Sequence, residues 1–143
     1  MAFEETLVRL HSRIEAESAM FKLMQAVQAY HTEAGVLPTI KPTIPDSSRV
    51  QLRKNLEEEE HLETMKALEE GNLEEIADGL ADKIWVCIGT ALEYGIPLHK
   101  IFGEVMRINM IRVDYGTKRE DGKITKPADC PKPDIAKILE FYK

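Results

Sequence analysis

Residues Glu57 to Val86 read EEEEHLETMKALEEGNLEEIADGLADKIWV, two acidic runs on either side of a Gly-Asn pair. Gly71 suits the left-handed residue that ends a helix, and Asn72 with Glu75 three residues later is a capping-box start. The first run therefore lies on one helix and the second on the next, joined by a turn so short that the two must be antiparallel neighbours. With about 100° between successive residues, Glu59, Glu60 and Glu63 share one side of the first helix, and Glu75, Asp78 and Asp82 share one side of the second. The two acidic faces meet only if both turn toward the shared groove, and their repulsion then demands a cation. Mg²⁺ is the natural candidate, with Mn²⁺ as its substitute, because a hard divalent ion prefers carboxylate oxygens and keeps waters, one of which can become a nucleophile.

Outward from this pair the chain continues to read as helices. Ser48 with Gln51 predicts the start of the first acidic helix, which runs to Glu70; the second reaches Tyr94 before Gly95 and Pro97 stop it. Upstream, Phe3, Leu7, Leu10, Ile14, Phe21 and Met24 recur at three- and four-residue steps, the stripe of a long amphipathic helix toward Glu33, with Ser12 and Ser18 as places for a break. Gly35 ends it, and Pro38, Pro42 and Pro45 predict an ordered or semi-extended loop. Downstream, Ile101, Phe102, Val105 and Ile108 predict a helix from Leu98 to Arg112. Asp121-Gly122 suits a tight turn between two short strands over residues 117–126, and Asp134 caps a short helix through Phe141. The expectation is an all-α antiparallel bundle of four to five helices with a small C-terminal β-hairpin.

Composition narrows the function. The 143 residues fit one domain, 43% hydrophobic but only 6% aromatic, with a formal net charge of −6. That charge gives no field to attract nucleic acid or an anionic membrane. The start Met-Ala-Phe-Glu-Glu lacks the pattern of a signal peptide, and no apolar run approaches the roughly 20 residues of a membrane span, so a cytoplasmic protein is expected. Cys87 reads as a buried, inert thiol and Cys130 as a loop residue; they form neither a disulfide framework nor a zinc spacing. His11, His31, His61 and His99 are scattered and read as surface or core-edge residues.

Each acid has a plain reading beside the metal-binding one. Glu57 and Glu58 read as a solvated face, and Glu75 either completes a capping box or ligates. Asp78 and Asp82 sit among Ile76, Ala77, Leu80, Ala81, Ile84, Trp85, Cys87 and Ile88, where an unpaired carboxylate is costly. They call for a metal, for a cleft, or for Lys83 as counter-charge.

The string Glu59-Glu60-His61-Leu62-Glu63, followed by Glu75-Ile76-Ala77-Asp78-Gly79-Leu80-Ala81-Asp82, resembles the acidic motifs of the MazG-like all-α nucleotide pyrophosphohydrolases, a superfamily that includes MazG, dimeric dUTPases and phosphoribosyl-ATP pyrophosphohydrolase. Gly89 to Leu98, Val105 to Arg112 with Asn109, Arg119 to Lys123, and Pro131 to Ile135 are similar to a bacterial and phage subgroup labelled phosphoribosyl-ATP pyrophosphohydrolase-like. The resemblance covers roughly Met20 to Ile138. It implies a single MazG-like domain over residues 1–143, a Mg²⁺-dependent hydrolase that releases nucleoside monophosphate and pyrophosphate from a (deoxy)nucleoside triphosphate in a house-cleaning role. Phosphoribosyl-ATP is the alternative substrate, and an inactive helical interaction module the alternative class. It further implies that Glu60, Glu63, Asp78 and Asp82, with Glu75, ligate metal, that Glu59 and Glu60 are catalytic, and that Asn109, Arg112, Lys118, Arg119, Lys123 and Lys126 contact the phosphates. Trp85, Tyr94 and Phe102 are candidates for stacking on the base. The sequence departs from the family where many relatives carry glutamate three residues before the aspartate matching Asp82, since Gly79 stands there, and where Arg112 replaces a common lysine. Relatives assemble through helix pairing, and the long N-terminal stripe with the nearly all-apolar third helix predicts a homodimer or homotetramer.

Overall fold

Helix starts and stops follow local chemistry closely in a computed structural model that describes residues 3–143. Five helices succeed one another: α1 (Phe3–Glu33), α2 (Ser47–Glu70), α3 (Leu73–Glu93), α4 (Leu98–Tyr115) and α5 (Ile135–Phe141). The architecture is all-α, as the periodicity predicts. α1 is unbroken at both Ser12 and Ser18; the Ser12 hydroxyl donates back to the Val8 carbonyl at 3.0 Å and so stays within the helix. The side chain of Phe3, the first residue of the expected stripe, lies outside the described residues. No helix among the described residues is long and apolar enough to cross a membrane.

α2 starts one residue earlier than the Ser48 signal predicts. Asp46 is its cap, with one carboxylate oxygen accepting from the backbone N–H groups of Ser48 and Arg49. An ionised cap outcompetes a serine hydroxyl for the same donors and also faces the positive end of the helix. Gln51 instead donates to Asn55 at 2.7 Å. At the other end Gly71 is left-handed (φ +67°), and the N–H groups of Gly71 and Asn72 return to Leu68 and Ala67 in a Schellman motif. The Asn72 side chain then accepts from Glu75 N–H at 3.3 Å and opens α3.

The expected C-terminal hairpin is not formed. Gly122 turns the chain at φ +84°, but only Lys118 and Ile124 pair, as an isolated antiparallel bridge, and no strand occurs among the described residues. Residues 117–126 hold a single large apolar side chain, Ile124, so neither arm has an apolar face to bury, and a two-residue ribbon without one is marginal.

The chain divides into two compact units: the α1 segment to Lys22 with Pro97–Lys143, and Leu23–Ile96. In the second, α2 and α3 form an antiparallel pair, shown by the pairing of Arg53 with Glu93, Glu57 with Thr90, His61 with Lys83 and Thr64 with Gly79. Its buried positions include Met24, Val27, Ala67, Val86, Ile88, Ala91 and Leu92. The proline-bearing loop is ordered against the end of α3, with Thr39 N–H on the Leu92 carbonyl and Thr43 N–H on that of Tyr94. Gly95 is left-handed beneath it, and a Cβ there would lie 2.3 Å from the Lys41 carbonyl oxygen. In the first unit Ile108 is fully buried, whereas Leu7, Leu10 and Ile14 of the α1 stripe remain about half exposed.

Candidate active site

The acidic residues stand on the α2–α3 pair, and the two helices come close where Thr64 meets Gly79. Thr64 is 1% exposed, and its hydroxyl donates to the Glu60 carbonyl one turn back at 2.7 Å. A Cβ on Gly79 would lie 2.7 Å from that hydroxyl oxygen and 3.4 Å from Thr64 Cα. Glycine in a helix interior costs roughly 1 kcal/mol relative to alanine and so points to a packing reason; here the reason is close approach of the two backbones. Gly79 is buried toward α2 and does not stand in for a missing ligand.

Glu60 and Glu63 precede Thr64 on α2 by one turn and by one residue, and Asp78 and Asp82 stand on either side of Gly79 on α3. The Glu60 carboxyl is pushed up from its ordinary value first by burial and then by the negative charges of Asp82, Glu63, Glu59 and Asp78. One of its oxygens, Oε2, is buried without a hydrogen-bond partner. Glu59, Glu63, Asp78 and Asp82 are exposed. Glu75 is exposed one turn before Asp78. It does not complete a capping box, because the Asn72 N–H that it would need is taken by Ala67. None of these six carboxylates enters an ion pair among the described residues. Lys83, weighed above as a counter-charge for the aspartates, instead lies 3.4 Å from His61 Nδ1.

Among the described residues no three His, Cys, Asp or Glu side chains stand close enough to enclose an ion. The donor set nevertheless suits Mg²⁺, a hard ion that takes carboxylate oxygens and keeps several waters, so that carboxylates need not enclose it. The unpartnered Glu60 oxygen, with four carboxylates near it, is the donor atom that would fit a cation.

The cationic candidates belong to the other unit. Asn109 is exposed and Arg112 half-buried, with its Nε buried and unpartnered. Lys118, Arg119, Lys123 and Lys126 are all exposed around the turn at Gly122, and Arg119 is tied to Asp121 at 2.8 Å. Of the stacking candidates, Trp85 is 42% exposed and meets Tyr30 edge to face with centroids 5.5 Å apart, Phe102 is 44% exposed, and Tyr94 is half-buried. Cys87 is exposed, contrary to the buried thiol expected, because the apolar circumference of α3 is only partly covered within the chain.

Two polar networks were not legible from spacing. Buried Arg53 donates to Thr90 at 3.1 Å and to the Val86 carbonyl, and pairs with buried Glu93, which also takes a two-pronged contact from Arg49 at 2.7 and 2.8 Å. Glu57 is not merely solvated, since it accepts from the Thr90 hydroxyl at 2.6 Å. His31, expected at the surface or core edge, is buried beside this network, its pKa lowered by burial and by Arg53. In the first unit buried Glu104 accepts two bonds from Arg107, at 2.7 and 2.9 Å, and one from the Asp134 backbone at 3.0 Å, with Arg13 at 3.7 Å. These contacts outweigh burial and hold its carboxyl at about 2.

The model of one family, phosphoribosyl-ATP pyrophosphohydrolase, matches residues 38–109, which is 72 of the 143 residues and takes in both acidic helices and α4 as far as Asn109. The chain belongs to the phosphoribosyl-ATP pyrophosphohydrolase family. It is therefore a hydrolase of phosphoanhydride bonds within the MazG-like all-α pyrophosphohydrolase superfamily. Comparison with curated proteins found no match. The family match takes in both helices of the acidic groove, whose six carboxylates make no ion pair among the described residues.

Proposed function

We propose that this pyrophosphohydrolase cleaves nucleoside triphosphates, as a (deoxy)nucleotide house-cleaning enzyme, to nucleoside monophosphate and pyrophosphate with Mg²⁺, and that Mn²⁺ replaces Mg²⁺. The observation that carries the reading is the buried, unpartnered Glu60 oxygen among four other carboxylates from two helices. Glu60, Glu63, Asp78 and Asp82 would hold the metal, with Glu75 as an outlying donor. When bound, the metal supplies charge neutralisation for the phosphate oxygens and makes a water more acidic.

The chain's own groups do the rest. Glu59, exposed beside Glu60, accepts the proton of the attacking water. The water oxygen forms a bond to phosphorus, the anhydride bond breaks, and pyrophosphate leaves with its electron pair. Such a reaction depends mainly on positioning and charge stabilisation. Glu60 is a ligand poised by repulsion, since every neighbouring charge raises its demand for a cation. Asn109, Arg112, Lys118, Arg119, Lys123 and Lys126 are assigned to the substrate phosphates; the unpartnered Nε of Arg112 supports its place in the set.

The name of the matching family favours a second substrate, phosphoribosyl-ATP, hydrolysed at the same bond by the same residues. One assay separates the two: ordinary and damaged nucleoside triphosphates and phosphoribosyl-ATP, each with Mg²⁺, scored for monophosphate and pyrophosphate. Turnover of triphosphates in preference to phosphoribosyl-ATP is expected; the reverse preference transfers the assignment, and no pyrophosphate from any of them defeats it in favour of a binding module.

The two units are proposed to work as one domain in a cytoplasmic homodimer or homotetramer. Support comes from apolar side chains open to solvent, Leu7, Leu10 and Ile14 on α1 and Leu80, Ile84 and Trp85 on α3, each between 42% and 55% exposed. An equilibrium mass at the 16.3 kDa of a single chain would refute the assembly.

A further inference from the structure

We infer that Thr64 and Gly79 are positioning residues: their contact is a fixed spacer that sets the gap between the two acidic rows and so the strength with which the groove holds a divalent cation. The inference rests on the proposed metal-binding role of those rows and goes beyond it, since neither residue offers a ligand.

The geometry places this contact next to all four carboxylates along the helices. Along α2, Glu60 is one turn before Thr64 and Glu63 is adjacent; along α3, Asp78 is adjacent to Gly79 and Asp82 is three residues on. Four carboxylates on facing helices repel, and left alone they would push the helices apart. Two features resist that. Gly79 has no side chain to hold the backbones apart, and the Thr64 hydroxyl is committed to the Glu60 carbonyl at 2.7 Å, which keeps its methyl and oxygen from swinging into other rotamers. Thr64 is therefore a wedge of fixed width against a flat surface, with 1% of its area exposed. A carboxylate ligand must come within a few tenths of an ångström of its place, so a small change in helix separation is amplified in affinity. The same contact accounts for the departure from relatives with glutamate at the position of Gly79. Any side chain there would bring its Cβ to 2.7 Å from Thr64 Oγ1.

The test uses Mn²⁺ alone as probe, titrated into the full-length protein by calorimetry and by the paramagnetic resonance of free Mn²⁺, with thermal melting in parallel. Gly79→Ala places a Cβ against the Thr64 hydroxyl and is expected to weaken Mn²⁺ binding about tenfold. Thr64→Ala in the same chain removes that hydroxyl and leaves Thr64 Cβ, 3.4 Å from the new methyl, as an ordinary contact; the double variant is expected to recover binding to within about twofold of wild type. Wild-type affinity in Gly79→Ala overturns the spacer, as does a loss that Thr64→Ala fails to restore. If Gly79→Ala does not fold alone, the double variant carries the test, and weak binding there overturns the inference. Glu60→Gln separates this from the reading beneath it: unchanged Mn²⁺ affinity in that variant removes the metal from the groove altogether, whereas a loss in Glu60→Gln with none in Gly79→Ala leaves the metal in place and removes only the spacer.

Discussion

Glu60 and Glu104 are the same residue in opposite surroundings. Glu104, in the unit built from the start of α1 and the C-terminal third of the chain, accepts bonds from Arg107 and from a backbone N–H, with Arg13 nearby, and its carboxyl is held at about 2. Its neighbours in that unit are matched in the same way. Glu17 is bonded to Arg13 at 3.0 Å and Lys100 at 2.7 Å, enough to lower its pKa against the opposing effect of burial, and Asp114 is lowered by its bonds to Arg9. Glu60 makes no ion pair among the described residues, and burial together with four neighbouring carboxylates raises its pKa. A carboxylate answered by its own chain holds the fold together, whereas one left unanswered stores repulsion that a ligand can relieve. Stability and function are thus assigned to different carboxylates, which makes the contrast testable by swapping charge for amide at each.

The largest effect is expected on activity at Glu60. Glu60→Gln should lower kcat/KM for pyrophosphate release by about 10²-fold or more, in keeping with loss of a metal ligand. The metal-free variant should nonetheless melt about 2 °C or more above wild type, because a neutral amide ends the repulsion and donates to the surrounding carboxylates. An equal loss of activity and of stability would place Glu60 among the structural acids. Next comes Glu104→Gln, which leaves Arg107 and Arg13 facing a neutral amide with one acceptor oxygen in place of a buried carboxylate. It should cost about 3 kcal/mol in urea unfolding, while the protein that remains folded binds Mn²⁺ as wild type does. A loss below about 0.5 kcal/mol would show that its four contacts are no more than surface pairs.

Acid should separate the same two residues, with opposite sign. Glu104 titrates at about 2 in the folded chain against an ordinary 4.5, so its contribution is complete above pH 4.5 and is lost as pH falls toward 2. Glu60 is raised, so the folded state takes up its proton more readily than the unfolded chain, and its penalty appears only as pH rises through the folded value. Metal-free wild type and Glu60→Gln should therefore unfold at the same urea concentration below about pH 4 and diverge above it, the variant being the more stable. His31 adds a third slope: buried and lowered, it withdraws stability as pH falls below its ordinary 6.5. A gap between wild type and Glu60→Gln that is the same at every pH would mean the repulsion at Glu60 is not electrostatic.

What could be read from the chain alone follows the range over which each feature is determined. Helix ends are set within a few residues, and so Gly71, Asn72, Gly95 and Asp134 announce them; the cap at Asp46 is misread as Ser48 only because three capping residues stand in a row. The convergence of Glu60 with Asp82 was legible for the same reason, since one two-residue turn fixes both helices. Pairings across long stretches of chain, such as Arg49 with Glu93 or Arg9 with Asp114, leave no periodic mark. The absent hairpin shows the converse error: Asp121-Gly122 is a sound turn signal, but a turn needs apolar arms to become a sheet. Gly79 reads as a gap in the ligand pattern because nothing in the spacing shows that it lies against Thr64 on the neighbouring helix.

The smallest expected effect comes from Lys83, and it tests whether the groove is truly unanswered. A lysine on the apolar third helix, next in sequence to Asp82, is the obvious counter-charge, and were it one, its removal would deepen the repulsion and destabilise the protein. Its ammonium instead lies 3.4 Å from His61 Nδ1, and it forms no ion pair with an acid among the described residues. Lys83→Met keeps the length of the side chain and its packing, so metal-free stability should change by no more than about 0.5 kcal/mol, as for most partly exposed substitutions. The raised titration of Glu60, followed by NMR, should hold its place. A fall in stability beyond about 1 kcal/mol, with Glu60 moving further up, would mean that the chain already supplies part of the cation for its own groove, and the distinction between Glu60 and Glu104 would become one of degree.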